Sequence, residues 1–439
     1  MRYIAFMVSL LALAACGDTR LPGWMGGDPP KIERLPGERY DVLATETALK
    51  ADDSAKEIPI DVPEQQANTD WITINQVMSV AHPGITGLEN SSSASIGDGD
   101  DFKQGMAPSP IVAEGTVYAM DAIGNVSAHA ADDIDTIRWV SDAAVEEDEP
   151  EILGGGIAYD SGAIYITTGF GKLIALNAKT GKQLWKISVG APVRGAPSIS
   201  ENIVAVLTAD NQTLAFNATT GSPLWEHRGI RETAGFFSRT SPVISEGVVV
   251  SAYSSGELVA LRLTSGAVIW ADSVSSPIKT RAAAAFSGID ADPLVQDGVV
   301  YVVSTGGVMM ANALLNGRPL WSQRIAAHQT PWAAGNALFL LTDDHEVAAL
   351  FKRDGTVRWV SSLKQTDRGR DITPKLFGPM LAGNAIVVVD DDGSFVALSP
   401  RTGKKLRVLD VPDGIATAPI VANGVLYLVT ENATLHAFK

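Results

Sequence analysis

The stretch GKLIALNAKTGKQLW, Gly171 to Trp185, holds an alternating apolar run, a Thr-Gly pair and a second run that ends in Trp. Forty residues on, NQTLAFNATTGSPLW, Asn211 to Trp225, repeats the apolar residues, the Thr-Gly and the Trp at the same offsets. The unit returns as GELVALRLTSGAVIW (Gly256 to Trp270), GVMMANALLNGRPLW (Gly307 to Trp321) and HEVAALFKRDGTVRW (His345 to Trp359). A sixth copy, GSFVALSPRTGKKLR, ends in Arg407 instead of Trp. A seventh, from Gly124 to Trp139, is one residue longer and lacks the turn Gly. Alternation on both sides of a turn pair is the signature of a β-hairpin.

A second hairpin precedes each unit. SPIVAEGTVYAM, APSISENIVAVL, SPVISEGVVVSA, DPLVQDGVVYVV and APIVANGVLYLV are five of eight such segments, and seven of the eight carry Pro at their second position (Pro110, Pro197, Pro242, Pro293, Pro331, Pro379, Pro419). Proline is tolerated at the first residue of a strand and no deeper. Four short strands per repeat, with Trp positions spaced by 46, 40, 45, 51 and 38 residues, suit a β-propeller blade rather than a helical solenoid.

The expected fold is therefore all-β: an eight-bladed propeller of four-stranded antiparallel blades. The eighth inner hairpin runs on to Lys439 and stops before a fourth strand. The segment NTDWITINQV around Trp71 is expected to supply that strand and close the ring, placing seven of the nine Trp at one structural position, with Trp24 and Trp332 as exceptions. A single blade cannot bury both faces of its sheet, whereas a ring of blades can.

Composition bounds the partners. The chain has 439 residues, 46% of them hydrophobic, which supplies a sizeable core, and a net charge of −16 that repels phosphate backbones, so nucleic acid is excluded as a partner. Residues 1–15 read as an export signal too short to span a bilayer. From Cys16 to Gln66 the chain is rich in Pro and charge and reads as a flexible tether with a reach of roughly 40 Å. The propeller is expected over 67–439.

Two resemblances add to this reading. Leu13-Ala14-Ala15-Cys16 resembles the lipobox of bacterial lipoproteins, in which the cysteine is lipidated and anchors the chain; Gly17 after it implies the periplasmic face of the outer membrane. ALNAKTGKQLW resembles the Trp-docking repeat of the PQQ-type propellers. Two families with that repeat compete: the quinoprotein dehydrogenases, which oxidise alcohols or sugars with PQQ and calcium, and the BamB family, non-enzymatic lipoproteins of the BAM complex, which inserts outer-membrane proteins. A ligand-binding periplasmic propeller of other role is a third reading.

The residues favour the BamB family. The dehydrogenases are longer, and many set a vicinal Cys pair against the quinone, which one Cys cannot supply. Asp390-Asp391-Asp392-Gly393 reads as a solvated turn rather than a calcium loop. His82, His129, His227, His328, His345 and His436 lack metal-ligand spacing, and neither a nucleophile elbow nor a phosphate loop occurs. Gly154-Gly155-Gly156 reads as a flexible lead into the second blade. No catalytic residue, cofactor or metal site is expected.

Two long inserts, EHRGIRETAGFFSRTSP and ADSVSSPIKTRAAAAFSGIDADP, follow Trp225 and Trp270 and fall at one end of the ring. In the BamB family the corresponding loops contact BamA, through an apolar-plus-Arg segment in the first and an Asp-x-Asp in the second. Phe237, Arg239, Asp290 and Asp292 match those features and are the expected partner-binding residues. Pairing of Arg239 with Asp290 between the loops is the alternative role. Unfolded outer-membrane protein clients are further possible partners.

Overall fold

Runs such as Val299–Val303 and Val425–Val429 are apolar at almost every position, a pattern stable only in a strand covered on both faces. In the computed structural model, which describes residues 49–72, 82–85, 87–88, 91–97, 108–145, 154–231, 239–274, 288–367, 370–372, 374–412 and 414–439, these runs are second strands of eight four-stranded antiparallel sheets. Blades 1 to 7 occupy 111–141, 155–188, 198–228, 243–273, 294–323, 332–362 and 376–410, each in the strand order of the chain. A two-stranded hairpin, Gln365–Asp367 with Arg370–Ile372, lies between blades 6 and 7. Within blade 2 burial falls outward: Ala163–Thr168 is buried throughout, while Gln183–Ser188 is half-buried to exposed.

The repeat owes its Trp and its Gly to each other. Trp139, Trp185, Trp225, Trp270, Trp321 and Trp359 each donate their indole N–H to a carbonyl of the following blade, at 2.6–3.0 Å. Each ring also lies against the turn Gly of that blade. Gly181 has φ +67°, and a Cβ there would sit 2.5 Å from Trp139 Cε3. The turn Gly thus meets two demands: a left-handed conformation and a flat seat for an indole.

Blade 8 closes differently from the expectation. Its innermost three strands are Ile420–Ala422, Val425–Val429 and Thr434–Phe438, and its fourth is Ser91–Ser95, paired antiparallel from Ser91↔Phe438 to Ser95↔Thr434. An N-terminal strand does close the ring, but it is not the Trp71 segment. Trp71 forms an isolated bridge with Val112 of the innermost strand of blade 1, is buried, and stacks on Trp332 with centroids 6.2 Å apart. Among the described residues six Trp, not seven, occupy the docking position. SSSAS carries neither apolar alternation nor an aromatic residue, so hydrophobic patterning does not mark it as a strand.

Residues 49–66, read from sequence as the end of a tether, are packed on the ring. Asp52 N–H donates to Val357 O at 2.8 Å, and Ala55 and Ile60 are buried in the core. From there the chain crosses the turns between first and second strands. Asn336 of blade 6 bonds Pro59 O and Asp61 N, Asn423 of blade 8 bonds Asn68 O, Glu114 of blade 1 bonds Asp70, and Tyr159 of blade 2 bonds Ile72 O. On blade 7, Asn384 N–H donates to His82 Nε2 while His82 Nδ1 meets Pro63 O. This strap spans the seam at which the first and last parts of the ring meet.

Candidate functional site

Innermost strands of all eight blades start at one end of the ring, and the residues before and within their starts line a central funnel of about 650 Å³. Ile111, Ile157, Met380 and Ile420 give it apolar walls on blades 1, 2, 7 and 8. Trp71 and Trp332, both buried, stack to form its floor. Gly155 and Gly156, expected to be a flexible lead, instead lie in the first strand of blade 2, where a Cβ on Gly156 would overlap the Ala196 backbone of blade 3. Gly156 lets blade 3 approach, while Gly155, with φ +125°, sits where a Cβ would strike Thr167 O of its own blade's second strand.

Polar side chains tie those strands together. Thr167 Oγ1 donates to Gly195 O at 2.7 Å, Ser241 Oγ accepts from Ala196 N–H at 2.9 Å, and Thr330 Oγ1 donates to Asp292 O at 3.3 Å. Asp292 Oδ1 accepts from Ser241 N–H at 2.5 Å, and Asp290 Oδ1 accepts from Arg239 N–H at 3.1 Å. Arg239, Asp290 and Asp292, the residues singled out in the two inserts, therefore converge at the funnel mouth between blades 4 and 5. Both carboxylates hold the neighbouring blade's backbone, and the Asp290 contact fixes the Arg239 backbone at the mouth. Phe237 and Cys16 lie outside the described residues.

Burial dominates the electrostatics of the mouth. It pushes the Arg239 guanidinium below its ordinary pKa against the opposing pull of Asp290 and Asp292, and it raises Asp290 despite the Arg239 N–H and charge. Burial alone lowers Arg194, on blade 3. His328 Nδ1 meets Asp343 Oδ1 at 2.7 Å, and that bond raises the imidazole pKa.

The acidic turn is not wholly solvated: Asp390 is buried, its carboxylate accepts from Ser394 N–H at 2.6 Å, and burial raises its pKa. Among the described residues no group of three or more His, Cys, Asp or Glu is placed to hold a metal. Sequence reasoning missed Arg194, Trp71 and Thr417 as funnel residues. Trp332 gave a signal, as a Trp outside the docking position in a segment whose counterparts carry small or aliphatic residues.

Comparison with known proteins agrees with this architecture. The family model described as "Outer membrane protein assembly factor BamB" matches residues 113–361 and 344–439. Relatives of that name from Shewanella oneidensis (24% identical over 368 residues, 79% of this chain and 88% of the relative) and Escherichia coli (26% over 333 residues, 75% and 83%) align over most of both chains. The crystal structure of BamB from Moraxella catarrhalis superposes with a TM-score of 0.68 at 22% identity, covering 80% of this chain and 99% of that one. A quinohemoprotein alcohol dehydrogenase from Comamonas testosteroni reaches 0.61 at 15% identity, covering 84% and 80%, a likeness of fold alone. With the repeat, the ring and a family match that runs from blade 1 to the last residue, the chain belongs to the BamB family of outer membrane protein assembly factors.

Proposed function

We propose that this chain is a non-enzymatic scaffold of the BAM complex, anchored through lipidated Cys16 to the periplasmic face of the outer membrane, which docks to BamA and assists the assembly of outer-membrane proteins. Its family membership carries the proposal, since relatives aligned over most of their length are outer membrane protein assembly factors. The docking residues are Phe237, Arg239, Asp290 and Asp292. What supports the last three is their convergence at one mouth of the ring, where loops between blades can meet a partner.

The acidic pair and Arg239 have different tasks in this reading. Asp290 and Asp292 orient the segment Arg239 to Ser241 through backbone bonds, and Arg239 with Phe237 presents the contact. A pull-down of the tagged protein from detergent-solubilised envelopes tests the assignment. BamA among the retained proteins is the expected result. Its absence, with the protein folded and membrane-bound, would favour a periplasmic propeller of other role.

A further inference from the structure

We propose that the outer hairpin of blade 7 is a contact site for a membrane surface with anionic headgroups, which turns this side of the ring toward the bilayer; its placement rests on the lipid anchor at Cys16 proposed above. Blade 7 carries Arg407 where blades 1 to 6 carry the docking Trp, and blade 8 has no turn between its third and fourth strands to cover the strand that bears it. Lys404 to Val408 are accordingly exposed in a row, Leu406 at 57% and Val408 at 55%.

Charge is concentrated on the same hairpin. Arg401, Lys404, Lys405 and Arg407 fall within seven residues of a chain that holds 34 cations against 50 acids, and between Ser399 and Leu409 there is no acid. Among the described residues none of the four joins an ion pair. The neighbouring outer hairpin of blade 6 differs: Lys352 pairs with Asp297 at 2.6 Å, Arg353 with Asp354 at 2.8 Å, and Arg358 Nε donates to Ile58 O at 2.8 Å. Like charges packed this closely repel one another and gain most from an anionic surface. Lysines also guard edge strands against pairing, but Lys and Arg beside exposed aliphatics are what an interfacial segment uses.

The anchor supplies the position. The described chain enters the ring at Leu49, which packs on the core shared by blades 5 and 6, and Asp52 N–H then donates to Val357 O at 2.8 Å. Val357 opens the fourth strand of blade 6, in which Trp359 donates to Pro400 O at 2.9 Å and lies against Gly403 of the basic hairpin. Entry and patch are thus neighbours on one rim. About 30 residues separate Cys16 from the entry, and a tether of that length spans roughly 30 Å, so the anchor brings this rim to the membrane first. Elsewhere the net negative charge of the chain opposes approach, so the contact orients the ring.

Hydrogen exchange of the purified lipidated protein, floated with vesicles of phosphatidylcholine or of phosphatidylcholine mixed with phosphatidylglycerol, tests the proposal. The outward amides of Lys405–Asp410 belong to an edge strand and report its cover directly. They should be protected in the anionic vesicles alone, and high salt should release them. Each cation near such a surface contributes about fivefold, so Lys404→Gln/Lys405→Gln should weaken the contact about 25-fold and return exchange to its rate on phosphatidylcholine. Lys179→Gln/Lys182→Gln, in the matching turn of blade 2, removes the same charge and should leave protection intact. All four lysines are exposed, so both variants should melt like wild type. Equal exchange in the two vesicle types would overturn the proposal, as would protection that survives salt or Lys404→Gln/Lys405→Gln. Protection that appears only when BamA is added would give the hairpin to a protein partner and overturn it too. So would self-association of Lys404→Gln/Lys405→Gln with unchanged vesicle protection, since the cations would then be guards of the edge. Failure to float with phosphatidylcholine would count against the lipid anchor instead; salt-sensitive flotation with the anionic vesicles would then support the patch, and its absence would overturn it.

Discussion

Gly181 shows how much one side chain decides. Replacing it by Ala adds left-handed strain to a methyl pressed into the Trp139 ring, and a loss of about 1–3 kcal/mol is expected. Thermal melts of Gly181→Ala, Trp139→Ala and the double variant separate the two causes. In the Trp139→Ala background the second Ala should cost less, since only the strain at φ +67° remains. Strictly additive losses would mean that the indole and the Gly do not constrain each other. Asp290 gives a second test. Burial raises its carboxyl pKa, so its charge costs stability at neutral pH, and the cost is relieved as pH falls through the folded pKa. Asp290→Asn keeps the acceptor for Arg239 N–H and discards the charge. At pH 7 it should melt no lower than wild type, with any gain shrinking toward acid, while Asp290→Ala orphans the N–H and should lose about 1–3 kcal/mol. Equal damage from both variants would contradict the acceptor role.

Among the elements, the blades and their closure by an N-terminal strand were legible, but the strand that closes the ring was not. Thr-Gly and Trp recur because each Trp docks on the next blade's Gly, a physical constraint that writes itself into the sequence at six junctions. The same rule accounts for the gaps. Blade 1 lacks a turn Gly, and blade 8, which precedes it in the ring, has no docking Trp; Tyr427 Oη and Lys439 Nζ instead bond Ala131 O and Asp132 O. Blade 8 has no turn between its third and fourth strands, and blade 7 carries Arg407 where a Trp would dock on one. Trp71 drew the closing strand to itself because a Trp in an alternating segment imitates the docking position, while Ser91–Ser95 gains its place from backbone pairing with Thr434–Phe438. Deleting residues 91–95 should therefore bare that edge and broaden the thermal transition markedly. An unchanged melt would mean that the strap alone holds the seam. For the site, Arg239, Asp290 and Asp292 were legible as loop residues of matching type. The stacked pair Trp71 and Trp332 was not, because their meeting depends on a strap that crosses five blades without a repeating pattern.

At the scale of the whole molecule, the proposed role needs a ring that presents one mouth to a partner and an N-terminus tied to the membrane. Cys16→Ser should release the protein from the membrane fraction; retention through salt and carbonate washes would end the lipid-anchor reading. The most direct test of docking is the affinity of purified BamA for Arg239→Ala and for Asp290→Asn/Asp292→Asn, each measured beside its melting curve. In the proposed contact Arg239 is the anchor, so its loss should weaken binding by about thirtyfold, on the order of 2 kcal/mol, beyond any change in the folded fraction. The Asn pair, which keeps both backbone acceptors, should bind within a few-fold of wild type. Wild-type affinity in the folded Arg239→Ala variant would contradict the account.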